Sequence, residues 1–265
     1  MKKMYVGEGS VYLVAGGGKI YADLAAKFVR TEKPVIEIIN GEYSPNIIKN
    51  LLESHHYTPL EFDNYIFAIE GYSRITETQL VRKRIASYLI KSGRAELHGK
   101  RSYNMVQPKE IDNLICNKIY RFINKNNTGE YSEVIVPITP NLIHDMIETW
   151  YNFGVENGYK EENLRYIKPQ ATEFKALVMM NAHALRDWFK IRCCENAQEE
   201  IRDLANKMLN LCKQASPDVF KLAGANCKEL GYCPEGRLQC EKYKGKIPTL
   251  EEMKRIYSLY SKNEK

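Results

Sequence analysis

No apolar run in this 265-residue chain reaches the ~18 residues that a membrane helix needs. The opening MKKMYVGEGSVYLVAGGG carries two lysines, but its glycines and glutamate break any signal-peptide core. A soluble, cytoplasmic protein with no membrane partner is expected. There is no Gly-rich phosphate loop, no H-E-x-x-H and no G-x-S-x-G, so no motif points to P-loop, zincin or α/β-hydrolase chemistry. Tryptophan is scarce, at two residues. The cysteines number seven, and without a secretion signal they are expected to be thiols. Cys227, Cys233 and Cys240 are spaced more widely than the tight pairs of zinc sites, so no metal is assigned to them. Internal repeats and low-complexity segments are absent.

What is present is enough for a sizeable core: 44% of residues are hydrophobic. The formal charge of +6 suits anionic small ligands such as nucleotides and does not by itself indicate a nucleic-acid partner. SVYLVAG and YIFAIEGYS read as strands, and SEVIVPIT as a strand or extended link limited by Pro137. IYADLAAKFVR reads as a helix, and so does SPNIIKNLLESHH, with Ser44 as N-cap and Pro45 at its first position. TETQLVRKR reads as a short helix capped by Thr76. Segments 109–125 and 140–157 carry helical periodicity, and a long helix is expected near 173–213. Helices separated by a few strands give an α+β class. The expected division is a catalytic domain over 1–213 and a Cys-containing extension over 214–265.

The segment QLVRKRIASYLIKSGR, residues 79–94, contains no acid. Arg82, Arg84 and Arg94 lie within thirteen residues, with Ser87 and Ser92 between them. Guanidinium forks and hydroxyls match phosphate oxygens, and Gly93 allows a close backbone approach. Gln79 and Arg82 are spaced to share a helix face. The segment reads as a phosphate or nucleotide cradle or as a solvated basic face, and its interleaved apolar residues favour partial burial. Asn181, Leu185, Trp188 and Arg192 fall on one helical stripe, with its ends ~16 Å apart. The stripe lines a long ligand or fills the core. HHYTPLEF, residues 55–62, presents polar groups at a site or is an ordinary loop.

Together these segments resemble the flavin-dependent thymidylate synthase (ThyX) family. Its signature is Arg-His-Arg, seven residues, then Ser. Here Arg82-Lys83-Arg84 is followed by seven residues and Ser92, with Ile85-Ala86-Ser87-Tyr88 and Ser92-Gly93-Arg94 kept. HHYTPLEF resembles the family's His-x-Thr-Pro-x-Glu segment, and NAHALRDWFKIRCCENAQEEIR resembles a third family segment. The resemblance implies a central, mainly antiparallel sheet flanked by helices, and a homotetramer with shared active sites. It implies FAD as cofactor, dUMP as substrate, and methylenetetrahydrofolate and NADPH as co-substrates. In that chemistry the methylene carbon reaches C5 of uracil and reduced flavin supplies the hydride, with no cysteine nucleophile. By position, Gln79, Arg82, Ser92, Gly93, Arg94 and Arg165 resemble nucleotide-binding residues. Arg192 resembles the catalytic Arg against the uracil. His56, Thr58, Arg82, Lys83, Arg84, Asn181, His183 and Asp187 resemble flavin-side residues.

The chain also departs from the pattern. Lys83 replaces His, Leu89 and Ile90 replace Asn and Glu, and Ala95 replaces Tyr. His183 stands where Arg is common, Asp187 where Asn is common, and Asn196 where His is common. A divergent enzyme is implied. The alternatives are a flavin-dependent methylase or hydroxymethylase of another pyrimidine nucleotide, such as UMP, and an inactive nucleotide- or flavin-binding relative. Six retained groups, Arg82, Arg84, Ser92, Arg94, Arg165 and Arg192, argue against the inactive relative, because orphan cations are costly to keep if buried.

Overall fold

The computed structural model describes residues 3–91, 103–123 and 131–241. In chain order the strands are β1 Lys3–Tyr5, β2 Ser10–Ala15, β3 Asn64–Ser73, β4 Ser87–Ile90, β5 Met105–Gln107, β6 Cys116–Ile123, β7 Tyr131–Ile138 and β8 Glu173–Asn181. The helices are α1 Lys19–Phe28, α2 Val35–Ile39, α3 Pro45–Glu53, α4 Arg74–Leu80, α5 Pro140–Glu156, α6 Glu161–Leu164, α7 Ala182–Arg192, α8 Glu199–Ala215, α9 Pro217–Phe220 and α10 Asn226–Leu230. The fold is α+β, as its sequence pattern predicts. The central sheet is antiparallel, in the order β2-β3-β8-β4.

One face of that sheet makes the core. Tyr65, Phe67 and Ile69 of β3 pair with Met180, Val178 and Ala176 of β8, and all six are buried. Alternation sends every second side chain of a strand to the same face. The helices α1, α3, α4, α7 and α8 supply the opposing residues, among them Ala22, Ile48, Leu80, Phe189 and Leu204. Val219, Phe220 and Ala223 belong to the same core, where the ring of Phe220 packs edge-on against Tyr65. The chain beyond residue 213 therefore begins inside the main body.

The other face is different. Tyr12, Ala68, Leu177 and Leu89 are register neighbours across the four strands. Tyr12, Leu177 and Leu89 are exposed, and Leu89 is 72% exposed. Ile85, before β4, is also exposed. Ile85 and Leu89 thus stay on the surface, while Leu80 is buried and Ala86, Tyr88 and Ile90 pack against the core, so the basic segment is partly buried, as its interleaved apolar residues predict. Tyr88 turns inward. Its hydroxyl donates to Leu80 O and Lys83 O at 2.9 and 2.8 Å, which pins the turn between α4 and β4.

The expected long helix near 173–213 is a strand and two helices. Residues 173–181 are β8, which alternates buried and exposed side chains. Its outer side passes from Glu173 and Lys175 to Leu177 and Met179, so the polar alternation that marks a strand covers only its first half. A turn over Cys193–Gln198 separates α7 from α8. Arg202 steadies it by donating to Glu195 O and Ala197 O at 2.6 and 3.1 Å, and Gln198 caps α8 through Ile201 N at 3.1 Å. The periodicity of 109–125 is likewise overridden. Residues 116–123 pair antiparallel with Tyr131–Ile138, with Asn117 opposite Pro137. Thr76 does not cap α4, which starts earlier, at Arg74 after Ser73, and buries Thr76 within it. The helix α3 begins as expected at Pro45 after Ser44, although the Ser44 side chain makes no capping bond. No described helix is long and apolar enough to cross a membrane.

Candidate active site

The site grows from the end of α4. At its start, the buried carboxylate of Glu200 accepts from Ser73 N at 2.6 Å and from Ser73 Oγ at 2.5 Å, which locks α4 to α8. At its other end is Gln79. Arg192, the last residue of α7, donates to Gln79 Oε1 and Gln79 O, each at 3.4 Å. Gln79 Nε2 lies 3.5 Å from Gln198 Oε1, so the amide is also tethered to the α8 cap. These are long bonds to neutral oxygens, and they orient the Arg192 guanidinium without neutralising it.

Burial lowers the Arg192 pKa first, and the nearby positive charge of Arg82 lowers it further. Arg82 lies beyond the end of α4, in the turn, so it does not share a helix face with Gln79. Arg82 and Arg84 are exposed there. Among the described residues no ion pair involves Arg82, Arg84, Arg165 or Arg192. Like charges brought together without an acid favour an anion between them. The donor set therefore fits phosphate groups and an electron-rich heterocycle.

Ser92, Gly93, Arg94 and Ala95 lie outside the described residues. Arg165 opens the short 3-10 turn Arg165–Ile167, which packs on α5 and α6, and no hydrogen bond joins it to Arg192. The structure thus brings Gln79, Arg82 and Arg192 together and places Arg165 on another part of the chain.

The flavin-side candidates gather around the first turn of α7. Asn181 is its N-cap, with Oδ1 accepting from Ala184 N at 2.7 Å. The stripe from Asn181 to Arg192 has a core middle, since Leu185 and Trp188 are buried, and it does not line a ligand along its length. His56 and Thr58 are exposed, beside and in the 3-10 turn Thr58–Phe62, which packs on α1 and α7. That entry is set by His55, whose φ of 56° is the left-handed conformation in which α3 ends. His55 N and His56 N close the helix on Leu52 O and Leu51 O at 3.3 and 2.9 Å. His183 Nδ1 is 3.2 Å from Glu61 Oε1, and Lys83 Nζ is 3.8 Å from Asp187 Oδ2. Glu61, Lys190 and Gln198 complete the arrangement and escaped sequence reasoning as site residues. Glu61 sits in the quoted HHYTPLEF segment, whereas nothing in the sequence links Gln198 to Gln79.

Two departures acquire structural roles. Ile90 faces Ala176 on the inner side of the sheet and packs against the core. An aliphatic side chain suits that position. Asn196 Nδ2 donates to Glu235 Oε2 at 3.3 Å and to Leu238 O, which ties the α7–α8 turn to the C-terminal segment. Among the described residues no three His, Cys, Asp or Glu side chains form a metal-binding group, and all seven cysteines are free.

An α+β scaffold with acid-free guanidinium groups at one sheet edge defines a protein built to receive an anionic ligand. The family model "Thymidylate synthase complementing protein" matches residues 20–218, and the chain belongs to that family. It is 35% identical over 206 residues to a flavin-dependent thymidylate synthase of Nitratidesulfovibrio vulgaris, covering 77% of this chain and 79% of the relative. It is 36% identical over 223 residues to the flavin-dependent thymidylate synthase of Clostridium tetani, covering 82% of each. Its fold is similar to that of a UMP/dUMP methylase, PolB, from Streptomyces cacaoi, solved with 5-Br dUMP. The TM-score there is 0.61, with 18% identity over 83% of this chain and 96% of that one.

Proposed function

We propose that the protein is a flavin-dependent thymidylate synthase that converts dUMP to dTMP. The observation that carries this reading is the Arg192 guanidinium, held by Gln79 at 3.4 Å, next to Arg82 and without an acidic partner among the described residues. Arg82 binds the nucleotide phosphate with Ser92, Gly93 and Arg94. Gln79 orients Arg192. Arg192 faces the pyrimidine and stabilises negative charge developing on the ring, which makes C5 more nucleophilic. FAD, when bound, supplies the hydride, and methylenetetrahydrofolate and NADPH are the co-substrates. His56, Thr58, Lys83, Arg84, Asn181, His183 and Asp187 hold the flavin side, where cations suit the pyrophosphate.

The active form in this reading is a homotetramer acting in the cytoplasm, on a mononucleotide and not on nucleic acid. Two observations support it. Arg165 is held by α5 and α6 and is not bonded to Arg192, as a residue donated to a neighbouring copy would be. The outer face of the sheet exposes Tyr12, Leu89 and Leu177 in one row, an apolar surface that a second copy would cover. Light scattering should give a tetramer mass, reduced by Leu177→Lys. An unchanged mass would place the interface elsewhere.

The deciding experiment is the visible spectrum of the purified protein during titration with dUMP and with UMP. A flavin band that shifts with dUMP, followed by dTMP formation, is expected. A shift with UMP alone would replace dUMP as substrate. Protein that takes up no FAD would remove the enzyme reading.

A further inference from the structure

Asp187 is where the three sequence motifs meet. Its Oδ2 lies 3.8 Å from Lys83 Nζ, in the basic turn, and 3.8 Å from His183 Nε2, one turn earlier on α7. Its Oδ1 lies 3.5 Å from Lys190 Nζ, on the following turn. The other nitrogen of His183 reaches Glu61 in the Thr58–Phe62 turn, at 3.2 Å. One carboxylate thus connects the basic segment to α7 and, through an imidazole, to the HHYTPLEF segment. Lys83, Asp187 and His183 are three of the residues by which this chain differs from the family pattern, and Asp187 lies against both of the others.

The pair sits at a rim: the Lys83 side chain is 19% exposed and that of Asp187 is 44% exposed. Such a pair adds little to global stability. Its consequence is local. Lys83 has no second acidic partner among the described residues. With Asp187 neutralised, the ammonium is released and the turn carrying Arg82 and Arg84 loses its tie to α7. With Lys83 neutralised, Asp187 keeps less of its balancing charge beside a site meant for anions. Either single change unbalances the site, and the two together do not.

We propose that Asp187 is a positioning residue that fixes the basic turn against α7, and that Lys83 and Asp187 function as a matched pair, exchangeable only together. The inference rests on the functional reading above for its ligand, FAD. The test compares the parent with Lys83→His, Asp187→Asn and the double variant, measuring the FAD dissociation constant and the melting temperature of flavin-free protein. Each single variant should bind FAD about five-fold more weakly, the double variant should return to within about two-fold of the parent, and melting should move little. A double variant weakened by the product of the single effects, about 25-fold, would overturn the pairing, as would single variants that bind like the parent. If the parent itself takes up no FAD, the functional reading falls separately. The pairing is then decided by amide hydrogen exchange over residues 81–86. Faster exchange in each single variant and parental exchange in the double variant would uphold it, and additive acceleration would overturn it.

Discussion

Two arginines on α7 stand six residues apart and have opposite surroundings. Arg186 is buried. It donates to Val219 O at 2.6 Å and pairs with Glu229 of α10, so its charge is matched inside the protein. Arg192 is half-buried and, among the described residues, its hydrogen bonds go to the neutral oxygens of Gln79, with the like charge of Arg82 nearby. The first joins the C-terminal segment to the core. The second is oriented but left electrically unsatisfied. On one helix, the presence or absence of an acid separates a residue that holds the fold from one available to a ligand.

Removing the acid from the first site should give the largest effect. Glu229→Ala leaves the Arg186 charge buried without its partner, and a loss of about 4 kcal/mol is expected. Melting should fall by roughly 10 °C, read by calorimetry. An unchanged melting temperature would erase the distinction between the two arginines.

Arg192→Ala should act the other way. Turnover of dUMP should fall about 10²–10³-fold, while melting stays within about 2 °C and flavin remains bound. Loss of FAD in that variant would move Arg192 from the pyrimidine to the cofactor.

Gln79→Glu turns the second arginine into a likeness of the first. The new carboxylate would pair with Arg192 and compete with the nucleotide. About ten-fold weaker dUMP binding is expected by titration, with stability gained by less than about 1 kcal/mol. Tighter dUMP binding would show that charge matching is not what Arg192 lacks.

The smallest effect concerns Asp63, a buried acid without a salt bridge among the described residues. Burial pushes its pKa up to about 6, against the opposing pull of the Tyr65 hydroxyl, which donates at 2.7 Å. A raised folded pKa means the folded protein binds this proton more tightly than the unfolded chain. The stabilising contribution is fully present below the ordinary value of 3.8 and is lost as pH rises through about 6. Asp63→Asn should therefore gain on the parent as pH rises from 4 to 7, read as a melting difference that widens with pH. Parallel melting curves across that range would show that the acid titrates as it does in the unfolded chain.

Much of the candidate site was legible from residue types and spacing. The acid-free run around Arg82 and Arg84, the HHYTPLEF segment and Arg192 could be picked out because the chemistry of an anion site restricts which residues serve it. Helices with one apolar stripe, such as α3 and α5, were legible as well. β8 was not, because the polar alternation of Glu173 and Lys175 stops at Leu177 and Met179, and its strand character depends on β3 and β4 pairing with it. β6 was hidden for a similar reason, its helical spacing overridden by pairing with β7.

The sequence by itself determined the α+β class, the family and the side chains offered to a ligand, since these follow from local pattern and residue chemistry. Only the tertiary structure decided which of those side chains are matched. It paired Arg186 with a glutamate 43 residues away, gave Arg192 to a glutamine 113 residues away, and set Lys83 against Asp187. The physical reason is that a charge is settled by what lies within a few ångströms of it, and separation along the chain does not fix that distance.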